Sequence, residues 1–126
     1  MEQKNFSTIK KRADFLAANR SRRFASRGFV LLVHNRNDSD LSKRLGITVT
    51  KKIGNAVIRN RMKRRFKALA RECFEHGING ADHILIGRIG GIERDYKTMR
   101  EELVLALKKT AKNTPKGAAV QKVKKA

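Results

Sequence analysis

The sequence predicts a single-domain α+β fold, an α-β sandwich in which helices cover one face of a small sheet. Its 126 residues are enough for one hydrophobic core but not for two. Two long segments repeat apolar residues every three or four positions, which is typical of amphipathic helices. Shorter segments rich in aliphatic and β-branched residues indicate strands. The elements follow the order α-β-β-α-β-α, for which one sheet packed on helices fits best.

The N-terminal part is predicted to hold one short helix. Residues 1–10 carry little pattern, so a loose arm is expected there. A helix is expected over Lys11–Arg20, because apolar residues recur at helical spacing. Serines and a glycine break the pattern over Ser21–Gly28, although residues 22–25 can add a further strand.

Two strands are predicted next in the chain. Phe29–Asn35 is apolar on both faces, as a buried strand is, and Arg44–Thr50 is β-branched and alternating. The residues between them, Arg36–Asp40, favour a turn because their side chains bond their own backbone. A hairpin of these two strands is therefore expected.

The second half is predicted to contain two longer helices and one strand between them. Asn55 is the expected N-cap of a helix over residues 56–75, and two glycines end that helix. A strand follows over His83–Ile89, and a second helix over residues 95–112. The tail, residues 113–126, contains the only proline and several lysines, so it is expected to be disordered.

The charge of the chain points to a polyanionic partner. There are 31 Lys and Arg against 11 Asp and Glu, a net charge of +20, and the pI is near 11.2. Between Asp40 and Glu72 there is no carboxylate, while this span carries 11 Lys or Arg. Such segregation makes a surface of one sign, which fits nucleic acid first and an anionic membrane surface second.

Catalytic patterns are weak in this sequence. Adjacent carboxylates such as Glu101 and Glu102 lie on predicted surfaces, where nothing apolar would shift a pKa. The three histidines lack zinc-ligand spacing with Cys73, which falls on an apolar helix stripe and is expected in the core. A single cysteine and no segment long enough to span a bilayer predict an intracellular, cytoplasmic location.

Binding features concentrate on the helix that follows Asn55. On a helical wheel its apolar residues point one way and the rest of its surface is cationic, which suits contact with RNA phosphates. Asn60 differs from its neighbours because an amide both donates and accepts, so it can read a base edge or a 2′-hydroxyl. The alternative is an exposed helix residue with no role. The cationic candidates are Arg59, Arg61, Lys63, Arg64, Arg65 and Lys67.

The segment KKIGNAVIRNRMKRRFKALAR resembles the signature of the bacterial ribonuclease P protein component. Eight positions of that signature are matched, namely Lys52, Gly54, Ala56, Val57, Arg59, Asn60, Lys63 and Arg64. The segments KKRADFLAANR, GFVLLV, LGITVTKKIGNAV and DHILIGRI resemble other parts of the same family. The resemblance covers roughly residues 7–110.

This resemblance implies a fold and a function. The fold is an α-β sandwich with a small mixed sheet and a left-handed β-α-β crossover, similar to the second domain of ribosomal protein S5. The function is that of a small subunit bound to a large catalytic RNA, which removes the 5′ leader of precursor tRNA with Mg²⁺ held mainly by the RNA. The protein alone is expected to be inactive, with residues 1–112 forming the RNA-binding domain.

Two RNA surfaces follow from the resemblance. The first is the helix with the Arg-Asn pair, which contacts the catalytic RNA through Asn60 and the cations named above. The second is a groove for the leader between the first helix and the sheet, lined by Phe15, Phe29, Leu31 or its neighbour Leu32, Lys51, Lys52 and Arg88.

The leader groove departs from the family at one position. Many members carry a second phenylalanine one helical turn after the first, where this chain has Asn19. A single strand needs an aromatic face for stacking and cations for its backbone, which Phe15 and the nearby lysines can supply. The alternative for Phe15 is a plain core position.

Two other functions also fit a basic helix. A ribosomal or other structured-RNA-binding protein would share the charge but take part in no turnover, and the RNA it selects would distinguish it. A non-specific DNA-packing protein would bind duplex DNA as well as RNA, and the Arg59-Asn60 pair disfavours it.

Overall fold

A five-stranded mixed sheet forms the centre of the protein in a computed structural model that describes residues 6–18, 22–36 and 39–112. The strand order across the sheet is β1-β4-β5-β3-β2. The central strand, β5, pairs antiparallel with β3 and parallel with β4. The predicted α+β class is therefore confirmed. The strands are β1 (Ser7–Thr8), β2 (Arg22–Ala25), β3 (Phe29–Asn35), β4 (Arg44–Thr48) and β5 (Ala81–Gly87).

Three α-helices accompany the sheet, and short 3-10 turns lie at Lys51–Ile53, Phe74–His76 and Ile89–Gly91. The 3-10 turn at Lys51–Ile53 precedes the second helix. The 3-10 turn at Phe74–His76 begins where that helix ends, although the helix was predicted to continue to residue 75. In the described chain, no helix is both long and apolar enough to cross a membrane. The helices are α1 (Arg12–Ala18), α2 (Ala56–Cys73) and α3 (Tyr96–Lys112).

The helices lie on both faces of the sheet, so the expectation that they share one face is wrong for α1. The main core lies under α2 and α3 and includes Leu31, Phe66 and Leu103, none of which is exposed. A smaller core on the opposite face joins α1 to the sheet, with Leu32 and Ile84 at its centre. Because β3 is apolar on both faces, its sequence did not indicate which face each helix would cover.

The predicted hairpin of β3 and β4 is also wrong, because β5 lies between them. The observed hairpin joins β2 and β3, and it confirms the further strand that the sequence allows at residues 22–25. The turn signal after β3 showed that the chain reverses there, but it did not determine which strand β4 pairs with. Since β5 is apolar enough to be buried on both sides, it takes the central position.

The loose arm expected over residues 1–10 is wrong for its second half. Ser7–Thr8 forms a short strand parallel to β4, and Phe6 and Ile9 on either side of it are buried. A two-residue strand has no alternation that a sequence pattern could reveal. The proposed departure at Asn19 and the predicted disordered tail lie outside the described residues.

A buried carboxylate fixes the start of β4 and β5. Asp82 is fully buried and accepts hydrogen bonds from Arg44, with Nε–Oδ1 at 2.6 Å and Nη2–Oδ2 at 2.8 Å, and from Arg36, with Nη1–Oδ1 at 2.9 Å. Burial alone would raise the pKa of Asp82, but the two guanidinium groups outweigh it and hold the pKa below its usual value. Arg36 also donates to two backbone carbonyls of the loop that precedes β4, which orders that loop.

The parallel pairing of β4 with β5 makes the connection through α2 a β-α-β unit. This agrees with the crossover that the family resemblance implies, and its left-handed sense stays a prediction. The unit matters for the site, because it places the basic helix beside β4. One flank of α2 thereby faces the β4 side of the sheet, where β1 covers only two residues.

Candidate nucleic-acid interface

The start of α2 depends on a glycine and an asparagine. Gly54 has φ +155°, a backbone conformation that side chains disfavour, and a Cβ there would meet Ile58 Cδ1 at 3.0 Å. Asn55 caps the helix, because its Oδ1 accepts a hydrogen bond from the Ile58 N–H at 3.0 Å. Arg59 donates from Nε to the Gly54 carbonyl at 3.1 Å, which ties the first turn to the preceding backbone. The predicted N-cap is therefore confirmed.

The surface of α2 divides into an outer face and a flank beside the sheet. Asn60, Arg61 and Arg64 are exposed on the outer face. On the flank, Lys63 and Lys67 recur four residues apart and line a groove against β4. The predicted RNA-binding residues are thus spread over two surfaces of one helix.

Arg65 has a different environment from the other predicted cations. Its guanidinium donates to the Arg94 carbonyl at 2.6 Å and lies 5.9 Å from the centre of the Tyr96 ring. These contacts fasten α2 to the segment that leads into α3. Arg65 therefore serves packing, and we leave it out of the proposed RNA-binding set.

Phe15 lies on the α1 side of the sheet, where Gly46 makes room for it. A Cβ at position 46 would meet Phe15 Cε1 at 2.7 Å and Cζ at 2.9 Å, so only glycine lets the ring lie against the β4 backbone. The ring packs on the smaller core and is partly exposed. One side of the Phe15 ring is therefore part of the core, and the other side is at the surface. The ring thus combines the two alternatives, a core position and an aromatic that lines a groove.

Two of the predicted leader-groove residues are not at the surface. Phe29 and Leu31 are fully buried in the main core, and the Phe29 ring packs edge-on against Phe66 at 6.4 Å between centroids. Successive strand residues point to opposite faces, and these two point away from Phe15. Their assignment to the groove is wrong. The alternative, Leu32, lies on the correct face but is only 2% exposed.

A row of residues across the sheet takes the place of Phe29 and Leu31. Ala25 pairs with Val30, Val30 with Ile86, and Ile86 with Thr48, so these four share the face that carries α1. Val30 and Ile86 are partly buried and pack on the same small core as Phe15. We call this row, together with Phe15, the sheet groove. Counting alternate residues from Leu32 would have found Val30, but a strand apolar throughout gives no signal for the choice of face.

The remaining leader-groove cations lie at one end of the sheet groove. Lys52 and Arg88 line a cleft together with Ala25, which belongs to the row, and Gly87, which follows Ile86 in β5. Arg88 donates from Nη1 to the Ser26 carbonyl at 3.0 Å, which holds its guanidinium over the β2–β3 turn. Lys51 is exposed on the same 3-10 turn as Lys52. The structure thus brings these cations to the end of the groove rather than along its floor.

A second groove runs between β4 and the flank of α2, and we call it the edge groove. Phe15, Ile47 and Lys63 line both this groove and the opening that leads from it toward Thr48. Lys10, just before α1, and Arg12, its first residue, also line that opening. The sheet groove and the edge groove therefore meet at Phe15. The remaining residues of the edge groove are Phe6, Thr8, Ile9, Leu45, Gly46, Lys67 and Arg71.

The titratable groups away from these grooves favour a structural role. Cys73 is fully buried, as predicted, and burial raises the pKa of its thiol to about 11, which disfavours the thiolate form that a nucleophile needs. Burial lowers the pKa of His83 to about 4, and its Nε2 accepts a hydrogen bond from the Ile78 N–H. No cluster of three or more His, Cys, Asp or Glu that could hold a metal ion is found among the described residues.

Comparison with known protein families gives a match over most of the chain. The model of the family described as Ribonuclease P matches residues 3–111. The ribonuclease P protein component of Erythrobacter litoralis is 61% identical over 104 residues, which cover 82% of this chain and 84% of that protein.

Solved structures with similar folds carry the same description. The RNase P protein of Thermotoga maritima aligns with a TM-score of 0.71 at 29% identity, covering 82% of this chain and 96% of that one. A mutant of the Staphylococcus aureus RNase P protein, described as defective in mRNA degradation activity, aligns with a TM-score of 0.71 at 35% identity. That alignment covers 83% of this chain and 87% of the other.

Proposed function

Because this chain belongs to the ribonuclease P protein family and is a subunit of that tRNA-processing endoribonuclease, we propose that it binds the catalytic RNA through α2 and the 5′ leader of precursor tRNA through the sheet groove. The family works with an RNA subunit, and precursor tRNA as a direct partner of this chain belongs to the proposal. The observation that supports two different RNA contacts is that α2 and the sheet groove form two separate surfaces.

The outer face of α2 supports the contact with the catalytic RNA. Arg61 and Arg64 are exposed there beside Asn60, and the described residues of α2 carry only one acid, Glu72, in its last turn. Arginine can bond phosphate oxygens with two donors at once, while an amide can also accept from a 2′-hydroxyl. We therefore assign affinity to the arginines and part of the selectivity to Asn60.

The sheet groove supports the contact with the leader. A single strand needs apolar or aromatic surfaces for its bases and cations for its phosphates. Phe15, Val30 and Ile86 supply the first, while Lys52 and Arg88 supply the second at the end of the groove. Such contacts read the strand through stacking and charge, so we expect broad tolerance of leader sequence.

The metal ion of the reaction is proposed to be bound by the RNA. Mg²⁺ prefers carboxylate and carbonyl oxygens in an octahedral arrangement. The described residues offer no cluster of acids for it, and the RNA-facing surfaces are cationic. The protein contribution is therefore to hold RNA strands in place, and we derive no chemical step through the metal ion.

Cleavage by the protein alone is not part of the proposal. The Staphylococcus aureus relative is described in connection with mRNA degradation. For this chain we expect no such activity without the RNA subunit, since Cys73 and His83 are buried and the exposed face of α2 carries cations. The cytoplasmic location expected from the sequence stays a prediction.

The RNA that co-purifies with the full tagged chain tests the proposal against its alternatives. We expect one large structured RNA together with tRNA precursors that retain their leaders. The matched control is a chain with Arg61→Ala and Arg64→Ala, which should lose the large RNA. Recovery of ribosomal RNA alone would support the structured-RNA-binding alternative, and recovery of duplex DNA would support DNA packing. Either outcome would overturn the proposal.

A further inference from the structure

A charged contact as well as an apolar one fastens α1 to the sheet. Asp14 is the acid in the first turn of α1, and its Oδ2 lies 3.3 Å from Nη2 of Arg44 in β4. Both side chains are partly exposed, and they line one cleft. The described residues that line the sheet groove and the edge groove do not include Asp14. The ion pair therefore lies outside both grooves that meet at Phe15.

The position of the Arg44 guanidinium is set by the sheet rather than by α1. Asp82, which is fully buried in β5, binds it at two atoms, with Nε–Oδ1 at 2.6 Å and Nη2–Oδ2 at 2.8 Å. Asp82 is bound in turn by Arg36, whose side chain is only 7% exposed. An arginine usually loses rotamer entropy when it forms an ion pair, but the buried carboxylate has already fixed this one. Asp14 thus meets a rigid partner.

Asp14 and Phe15 contact neighbouring positions on one face of β4. Arg44 and Gly46 are two residues apart in the strand, so they belong to the same face of the sheet. Asp14 pairs with Arg44, and the Phe15 ring lies against Gly46, where a Cβ would meet its Cε1 at 2.7 Å. Because two consecutive helix residues are held at two successive positions of this face, the ion pair restricts both rotation and sliding of α1.

Apolar contacts alone would hold α1 less precisely. The helix has only seven residues, too few to be stable without tertiary contacts. Its apolar side packs on the small core around Leu32 and Ile84, to which Ala18 also belongs. The hydrophobic effect is non-directional, so this core holds the helix against the sheet without fixing its rotation. The ion pair with Arg44 supplies the missing direction.

From these contacts we propose that Asp14 is a positioning residue for the leader, since its ion pair with Arg44 holds the Phe15 ring where the two grooves meet. This inference rests on the proposed function, which assigns the leader to Phe15, and it adds the residue that orients this aromatic. Charge alone gives the opposite expectation, because the loss of an acid from a cationic protein should strengthen binding to any RNA. The direction of the effect therefore distinguishes positioning from charge.

Moving the carboxylate by one residue gives a matched set of variants. Asp14→Asn removes the ion pair and keeps the shape of the side chain. Ala13 is exposed, so Ala13→Glu combined with Asp14→Asn restores the net charge and the acid near the helix N-terminus without the pair. Ala13→Glu alone keeps the pair and is the control. Positioning predicts that both variants without the pair behave alike. Wild-type behaviour of the double variant would assign the effect to charge or to the helix dipole and overturn the proposal.

NMR of the full chain tests the position of the ring without any RNA. Ile9 Cδ1 and the Phe15 ring both lie against Gly46, so the Ile9 δ1 methyl senses the ring current. Phe15→Leu gives the methyl shift in the absence of the ring. We expect Asp14→Asn and the double variant to move the Ile9 signal toward that value, while Ile92 on the opposite core stays unchanged. An unchanged Ile9 signal in both variants would overturn the proposal.

Binding of precursor and mature tRNA to the assembled enzyme tests the consequence. The two variants without the pair should lower the preference for precursor tRNA about two- to fivefold, as expected for a partly exposed ion pair, without weakening mature tRNA. Asp14→Glu, which keeps the carboxylate, should retain most of the preference. A displaced ring with an unchanged preference would overturn the proposal.

The wild-type protein separates this inference from the function on which it rests. If the assembled wild-type enzyme shows no preference for precursor over mature tRNA, the proposed leader contact fails. The Ile9 signals of the protein without RNA still decide whether Asp14 positions Phe15. A clear wild-type preference that Asp14→Asn leaves unchanged would instead contradict only the role of Asp14.

Discussion

At the residue scale, Gly46 is the position on which the shape of the proposed leader surface depends, because Phe15 lies against it. A methyl group there would lie 2.7 Å from Phe15 Cε1, which is closer than packed carbon atoms allow. The ring is partly exposed and must move. Gly46→Ala should therefore lower the free energy of unfolding by about 1–3 kcal/mol, as overpacking does, and weaken precursor tRNA more than mature tRNA.

A double-mutant cycle isolates the contribution of the ring. In a Phe15→Leu background the clash with position 46 is smaller, so Gly46→Ala should cost less there than in the wild type. Chemical denaturation measures the two costs. If they were equal, the effect would come from the backbone of β4 and not from Phe15.

His83 makes the stability of the fold sensitive to acid. Its pKa is lowered to about 4, first by burial and then by Lys43, against a usual value of 6.5, while neighbouring Asp82 acts in the opposite direction. Between these pH values the unfolded chain binds a proton at His83 that the folded chain does not. Stability from this group is therefore present above pH 6.5 and is lost as the pH falls toward 4, by on the order of 3 kcal/mol.

Replacing the imidazole removes this dependence. The His83→Leu variant should lose less stability than the wild type between pH 7 and about 4.5, because its unfolded state has no such proton to bind. Urea unfolding at the two pH values gives the comparison, and His76→Leu at a half-buried position is the control. Parallel losses in the wild type and His83→Leu would show that other groups, such as Asp82, dominate.

At the element scale, the two sides of α2 should respond differently to mutation. Asn60→Ala on the outer face should reduce the preference for the cognate catalytic RNA over an unrelated structured RNA by about 1 kcal/mol or more, since it removes a hydrogen bond that depends on the partner. Lys63→Ala should weaken both RNAs by similar factors, because a lysine that contacts phosphates contributes charge without reading the sequence. Filter binding at one salt concentration measures both ratios. An equal loss on both RNAs for Asn60→Ala would leave Asn60 without a role in selection.

The helices and strands differ in how well the sequence predicts them. α2 was predicted almost to the residue because its cap, its apolar stripe and its end are all local signals. The pairing of β4 could not be predicted in this way, since a strand carries no local information about which strands lie beside it. The same limit explains the error at Phe29 and Leu31, because the choice of face depends on which helix packs where.

The candidate site was predictable to the extent that its chemistry is local. The exposed cations of α2 and the aromatic at Phe15 could be found from charge, periodicity and family resemblance. The role of Arg65 in packing could not, because it depends on the carbonyl of Arg94, 29 residues away. Val30 and Ile86 were missed because only the register of β3 and β5 places them beside Phe15.

At the scale of the whole molecule, we expect the net charge of +20 to govern the affinity for RNA. If about 6–10 phosphates are neutralised, affinity for the catalytic RNA should fall roughly 10³–10⁵-fold between about 50 and 200 mM salt. Titrations at four or five salt concentrations give the slope, with the double variant Arg61→Ala and Arg64→Ala as the matched control that should lower it. A flat response in the wild type would mean that the basic surfaces do not carry the binding.

The most direct measurement of the central claim compares precursor and mature tRNA on the assembled enzyme. Affinity is measured for the catalytic RNA alone, with wild-type protein and with Phe15→Ala, whose assembly with the RNA is checked separately. We predict that wild-type protein raises the affinity for precursor tRNA relative to mature tRNA, that Phe15→Ala removes most of this gain, and that the protein without RNA cleaves neither substrate. A gain that is absent, or that persists unchanged in Phe15→Ala, would contradict the assignment of the leader to the sheet groove.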